Sequence, residues 1–305
     1  MKDSKLKKKR SAVSGSALAR IIIWSAVLCI LTGVFIVGMS GGVLYIDWAG
    51  VPVISFGEYR YDDRGYEVGN GSSAQKITDL SVEWGAGSVT IIPAEGDEVV
   101  ITEDYSGEDE KLRLRWKIEE GELSVKFSAP RFRRSARMDE LTKDLTIAIP
   151  TAMLEAMDEV DIDGVDCNVS YAGNADELSL EIVNGDLTVN GDIGELEVEA
   201  VNGSVVFRGG VRRADVTCVN ATVKMYPDMA AELSFELLNG DVWVYLSEEI
   251  TGFSATRDAL GGRIETVGFE NVQRGENTAH WGDKSLRVTL DSLNAQLHIE
   301  KVTKD

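Results

Sequence analysis

The chain is poor in the residues on which catalysis and cross-linking usually rest: its 305 positions hold three cysteines and two histidines. His280 and His298 stand alone in sequence and supply no zinc-ligand spacing. Cys29 lies in an apolar run, which leaves Cys167 and Cys218 as the one conceivable pair and excludes a disulfide-stapled fold. No G-x-S-x-G, Walker A or H-E-x-x-H pattern occurs. The acidic run from Asp158 to Asp166 lacks the spacing and closing Glu of a calcium loop. Catalytic, cofactor-binding and metal-ligating residues are therefore expected to be none.

Positive charge is scarce too, with 31 Lys and Arg against 51 Asp and Glu. Seven of the basic residues lie in the first 20 positions, so residues 21–305 carry 24 basic and 50 acidic side chains. A domain that acidic is repelled by nucleic acid and by anionic lipid headgroups, and nucleic acid is excluded as a partner.

What the N-terminus does have is a basic tail, residues 1–20, ahead of 26 uncharged positions from Ile21 to Ile46. At 1.5 Å per residue that run crosses a hydrocarbon layer of about 30 Å. It is too long for the apolar region of a cleaved signal peptide. One transmembrane helix over 21–46 is expected, with the N-terminus cytoplasmic by the positive-inside rule and the rest of the chain extracytoplasmic. The Gly-, Ser- and Asp-bearing residues 47–76 read as a juxtamembrane linker.

From there the chain repeats. Segments 177–194, 195–212, 213–231 and 232–250 align at lengths of 18, 18, 19 and 19 residues. Their apolar columns run Leu178/Leu196/Ala214/Leu233, Leu180/Val198/Val216/Phe235, Ile182/Ala200/Cys218/Leu237, Leu187/Val205/Val223/Val242 and Val189/Phe207/Met225/Val244. Polar residues fill the positions between, the period of strands with one buried face. Fainter copies at 80–91, 159–176, 260–266 and 288–299 extend the pattern over residues 77–301.

Each repeat turns at an Asn-Gly-like corner. A two-residue hairpin needs positive φ at both central residues, which the corners Asp166-Cys167, Asn220-Ala221 and Asn294-Ala295 do not suit. Asn alone visits the left-handed region readily, so the expected corner is a bend at Asn with the next residue back in the β region. The predicted fold is all-β: a parallel β-solenoid of about 18–19-residue rungs, with strands about 4.8 Å apart and Asn184, Asn202, Asn220 and Asn239 stacked as a ladder. An antiparallel sandwich is the rival.

The anchor, the opening LSVEWGAGSVTIIPAEGDEVVI, the element LTIAIP at 145–150 and the run of Asn-Gly corners resemble the DUF4097-type adhesin family of bacterial membrane proteins. The resemblance spans about residues 77–300. It implies a β-solenoid displayed at the bacterial cell envelope and brings no catalytic residues.

Two insertions break the pattern. Residues 128–144 carry Arg131, Arg133, Arg134 and Arg137 around Phe132, the one basic loop beyond the N-terminus and a candidate binding loop for anionic envelope polymer or a neighbouring copy. Residues 267–284 offer His280 and Trp281 as exposed contact candidates. Taken together, these features predict a single-pass, membrane-anchored, adhesin-like interaction or scaffold protein with no enzyme activity. Its expected partners are the membrane, an envelope polymer or protein, and other copies of itself through the coil ends. The alternative is a carbohydrate-active β-helix enzyme using stacked carboxylates such as Glu181, Glu199 and Glu236.

Overall fold

The computed structural model describes residues 43–46, 52–55, 64–107, 109–128 and 142–302. It forms two units, divided at residues 62 and 63. In the first, β1 (Val43–Ile46) pairs antiparallel with β2 (Pro52–Ser55). Val43–Ile46 is thus a strand rather than the last turn of a helix, as the β-branched and aromatic residues of VLYI allow. The remainder of the expected membrane helix, residues 21–42, lies outside the described residues. Among the described residues no helix is long and apolar enough to cross a membrane.

The second unit is all-β, and its described strands form one sheet. In chain order they are β3 (Glu67–Val68), β4 (Gly71–Ser73), β5 (Asp79–Ala94), β6 (Val99–Asp104), β7 (Arg115–Glu119), β8 (Glu122–Lys126) and β9 (Lys143–Pro150). After one helical turn come β10 (Met157–Ala172), β11 (Ala175–Asn190), β12 (Ile193–Gly209), β13 (Val211–Pro227) and β14 (Glu232–Leu246). The chain ends with β15 (Gly252–Gly261), β16 (Ile264–Val267), β17 (Gln273–Arg274), β18 (Thr278–Gly282) and β19 (Leu286–Lys301). β3 and β4 belong to this sheet, so the residues read as a linker end before Glu67.

The long strands stack in parallel with repeat over repeat in register. Leu178 pairs with Leu196, Leu196 with Ala214 and Ala214 with Leu233, and the other apolar columns pair likewise. Nearly every column member is 0–3% exposed. At about 1.5–3 kcal/mol for each large apolar side chain, these columns are the main source of stability. In β11 the buried positions run Ala175, then Leu178, Leu180 and Ile182, then Leu187 and Val189. Each change of parity marks a bend, one after Ala175 and one at the Asn184 corner, and the apolar side stays inward on every arm. The antiparallel sandwich is excluded by this pairing.

The corners differ from expectation in one respect. Positive φ falls on the glycine after Asn, 153° at Gly185 and 143° at Gly203, and not on the asparagines. The reason is contact between levels: a Cβ on Gly203 would sit 1.8 Å from the Gly185 carbonyl oxygen. The asparagine side chains are used for stacking instead.

Order in space departs from order in sequence at both ends. β5 lies between β10 and the outer pair β8 and β9. β19 lies between β14 and the outer pair β15 and β16. Antiparallel strands then cover the outer level, β6 and β7 at one end and β18 at the other. The insertion at 267–284 contributes two of these strands, β17 and β18, so it is structural. Trp281 packs against Phe253 and Phe269, and His280 Nδ1 lies 3.1 Å from Ser254 Oγ, which makes both half-buried rather than exposed.

Gly203→Ala is expected to cost more than about 1 kcal/mol in urea denaturation, because it adds a clash to a φ that Ala avoids. Ala221→Gly, one level away in the same column, should cost about 1 kcal/mol or less.

Candidate functional site

Residues between the buried columns face outward, and register turns each outward position into a line of side chains one strand spacing apart. The bent face of the sheet carries four such lines. The first is acidic: Glu83, Asp163, Glu181 and Glu199 occupy successive levels. Thr217 and Glu236 continue the line, so Glu236 is separated from Glu199 by a whole level. Partial burial, and then the neighbouring Asp161, Glu181 and Glu83, push Asp163 up to about 6. Burial also raises Asp161, against the pull of a Ser179 hydrogen bond, and raises Glu199, with Glu181 and Glu197 adding to it.

The second line is the corner itself. Asn202 Nδ2 donates to Asn184 Oδ1 at 2.9 Å, Asn220 to Asn202 at 3.1 Å, and Asn239 to Asn220 at 3.1 Å. Each amide thereby satisfies its neighbour, and the line carries no charge.

The third line is apolar, and the repeat alignment alone did not single it out. Val165, Val183, Val201, Val219, Leu238 and Leu293 each stand immediately before a corner residue. Those corner residues pair level by level from Asp166 to Asn294. Val165 is 38% exposed and Leu238 36%, and the other four are half-buried. The signal was present in sequence as a Val or Leu before every Asn corner.

The fourth line, on the second arm, carries Tyr226 and Tyr245, and the outward position two residues before it carries Trp243 and His298. Tyr226 stacks on Tyr245 at 4.5 Å with rings 10° apart, and Trp243 on His298 at 3.9 Å and 6°. Arg208 covers the Tyr226 ring at 4.7 Å, and Glu265 Oε2 lies 3.1 Å from His298 Nδ1. The rings stack face to face along the ladder and turn their edges to solvent, so the faces that a sugar ring would stack upon are largely taken.

The candidate loop residues Arg131, Phe132, Arg133, Arg134 and Arg137 lie outside the described residues; the roots of the insertion are described. Lys143 is wholly buried, 3.0 Å from the buried Glu103 carboxylate, and its Nζ donates to the Ser128 carbonyl at 2.8 Å. It also sits 4.3 Å from the Phe127 ring centre. Burial pulls the Lys143 amine down, opposed by Glu103 and reinforced by Arg113 and Arg115. One ion-paired lysine thus ties the first and last residues of the basic insertion to the core. Cys167 and Cys218 are free and buried, and burial pushes both thiols up to about 12, which removes them as nucleophiles at neutral pH. Among the described residues no group of His, Cys, Asp and Glu is arranged to hold a metal ion.

No family model matches the chain, and no curated protein matches it. Solved structures do resemble it loosely. A candidate cell adhesion protein of Clostridium sporogenes is 12% identical, with 77% of this chain and 100% of that one covered and a TM-score of 0.35. A candidate adhesin of Bacteroides fragilis is 11% identical over 77% and 97%, with a TM-score of 0.36. One of Parabacteroides merdae is 9% identical over 78% and 97%, with a TM-score of 0.39. The functional reading therefore rests on this chain's own residues.

Lys143→Met is expected to cost about 3–5 kcal/mol in urea denaturation, since it strands Glu103 without its buried partner. Stability should also depend on pH in a definite direction. A carboxyl whose folded pKa is raised holds its proton more tightly in the folded state, so the stability it contributes is present below about 4 and lost as pH rises through about 6. The melting temperature should fall between pH 4 and pH 6.5, and Asp163→Asn should raise it at pH 7 while flattening that fall.

Proposed function

We propose that the chain is a membrane-anchored, extracytoplasmic interaction or scaffold protein of the bacterial cell envelope, adhesin-like and without catalytic activity. In this reading the stacked levels are a β-solenoid of the DUF4097 type, and residues 21–42 complete the anchor. The observation that carries it is the register: each outward position becomes a line of side chains on a rigid frame, several of them of one kind, which suits recognition of an extended partner. The uncharged run behind a basic tail supports the anchor. The separation of Glu199 from Glu236 by the Thr217 level weakens the glycosidase alternative for that carboxylate pair. The protein's own acidity supports a partner that is neutral or cationic at its contact points, with the basic insertion as the place for an anionic polymer.

Co-sedimentation of residues 64–302, which hold the whole large sheet, with bacterial cell-wall sacculi tests this. Saturable pelleting with sacculi alone is expected, reduced by replacing Arg131, Arg133 and Arg134 with Ser. Pelleting in the absence of sacculi would point to self-assembly, and no pelleting with or without calcium would remove the wall as the partner. An alkaline phosphatase fused after Asp305 is expected to be active in intact cells; an inactive fusion would reverse the topology.

A further inference from the structure

The apolar line before the corners has no role in the core. Each member directly succeeds an inward position, as Val183 does Ile182 and Leu238 does Leu237, so it points away from the buried columns. A strand's preference for β-branched residues accounts for Val, but Leu238 and Leu293 have no such preference and Thr, equally branched and better suited to water, is absent from the line. The line spans five steps between its six members, about 24 Å at the strand spacing. On one side run the carboxylates of Asp163, Glu181 and Glu199, and across the uncharged asparagine ladder runs a mixed line of Asp186, Ser204, Thr222, Asp241 and Gln296. A continuous apolar stripe between a strongly acidic margin and a weakly acidic one is the result.

We infer that this corner binds a cationic amphipathic helix of a partner protein. Charge selects the cation: anionic lipid is repelled by the same margins. Spacing selects the helix. One helical turn advances 5.4 Å, close to the spacing of the levels, whereas side chains on one face of an extended strand recur every 6.6 Å or so. A helix of about 16 residues covers the stripe, its apolar face on Val183, Val201 and Leu238 and its Lys or Arg residues beside Glu181, Glu199 and Asp186. The inference deepens the interaction reading by naming a partner class for one face, and it stands apart from the sacculus experiment, which reads the basic insertion.

The test uses the full chain in nanodiscs of neutral lipid and a fluorescein-labelled 16-residue peptide, designed as a helix with a leucine stripe flanked by lysines. Fluorescence anisotropy should give saturable binding that weakens as salt rises. A Leu/Glu peptide and a scrambled Leu/Lys peptide should bind at least about tenfold more weakly. Val201→Ser with Leu238→Ser, and separately Glu181→Gln with Glu199→Gln, should each weaken binding by a similar factor while leaving the melting temperature at or above the parent's, less a few degrees for the serines. Equal binding of the scrambled peptide, or unchanged binding by both double variants, would overturn the proposal. Replacing Arg131, Arg133 and Arg134 by Ser should leave the affinity unchanged; a several-fold gain would mean that the chain's own insertion is the occupant and would overturn the assignment to a partner.

Discussion

The structure depends on register. Each long strand lies on the next with every repeat position over its counterpart, so one offset decides at once which residues are buried, which amides meet and where the backbones touch. Slipping a strand by one residue would turn Leu196 and Val198 to water and Glu197 and Glu199 into the core. It would also bring side chains into the space that Gly203 leaves for the Gly185 carbonyl. The asparagine ladder adds less energy than the columns, since each exposed amide contact exchanges with water. Its value lies in specificity, because the amides pair only when the corners align. The core supplies the stability, and the corner chooses the alignment.

The ends obey a second constraint. A stack of parallel strands leaves an unpaired edge at each end, and such edges recruit further strands. Here antiparallel strands cover the outer level at both ends; at one the chain lays the inner β5 first and then the outer β8 and β9, and at the other it lays the outer β15 and β16 before returning to the inner β19. β19, the last strand, therefore pairs with β14 on one side and with β15 and β16 on the other. An interior position for β19 means that the C-terminal end closes only when that strand is in place, joining β14 to β15 and β16 through long-range pairing. At the other end the same economy appears in Lys143: burying a charge is costly, and the ion pair with Glu103 and the carbonyl of Ser128 offset that cost while fixing the mouth of a long insertion.

Much of this was legible in the sequence because it is periodic. The gapless alignment of residues 177–250 placed five buried columns and the partners of Asn184, Asn202, Asn220 and Asn239, since a period of two within repeats of 18 leaves little freedom, but not the buried column Ala175/Ile193/Val211. The corner conformation was misassigned because Asn and Gly both favour unusual backbone angles; the left-handed φ falls on Gly185, Gly203 and Gly240, while Ala221 and Ala295 hold the same position without it. The crossed order at the ends was hidden, because the faint copies at 80–91 and 288–299 look like first and last repeats and the outer strands β8, β9, β15 and β16 are short or interrupted. The stacked aromatics come from dissimilar residues on different levels, Tyr226 over Tyr245 and Trp243 over His298, so no repeated motif announces them. The apolar stripe was overlooked for the opposite reason: Val-Asn recurs so evenly that the valine reads as part of the corner.

The outward lines are also informative through what they cost. Partial burial, and after it repulsion between neighbouring carboxylates, raises the pKa values of Asp163, Asp161 and Glu199. The fold itself does not require carboxylates there, since Thr217 occupies the same line one level on from Glu199. Carboxylates at three successive levels, Asp163, Glu181 and Glu199, border an apolar stripe that the core does not use, and both face the solvent side of the sheet. The field of these carboxylates repels like faces and attracts cations to a strip of surface where apolar contact is also available. Solubility alone would explain the carboxylates but not the leucines, and β propensity alone would explain the valines but neither the leucines nor the charge. The contact proposed at that corner would use both.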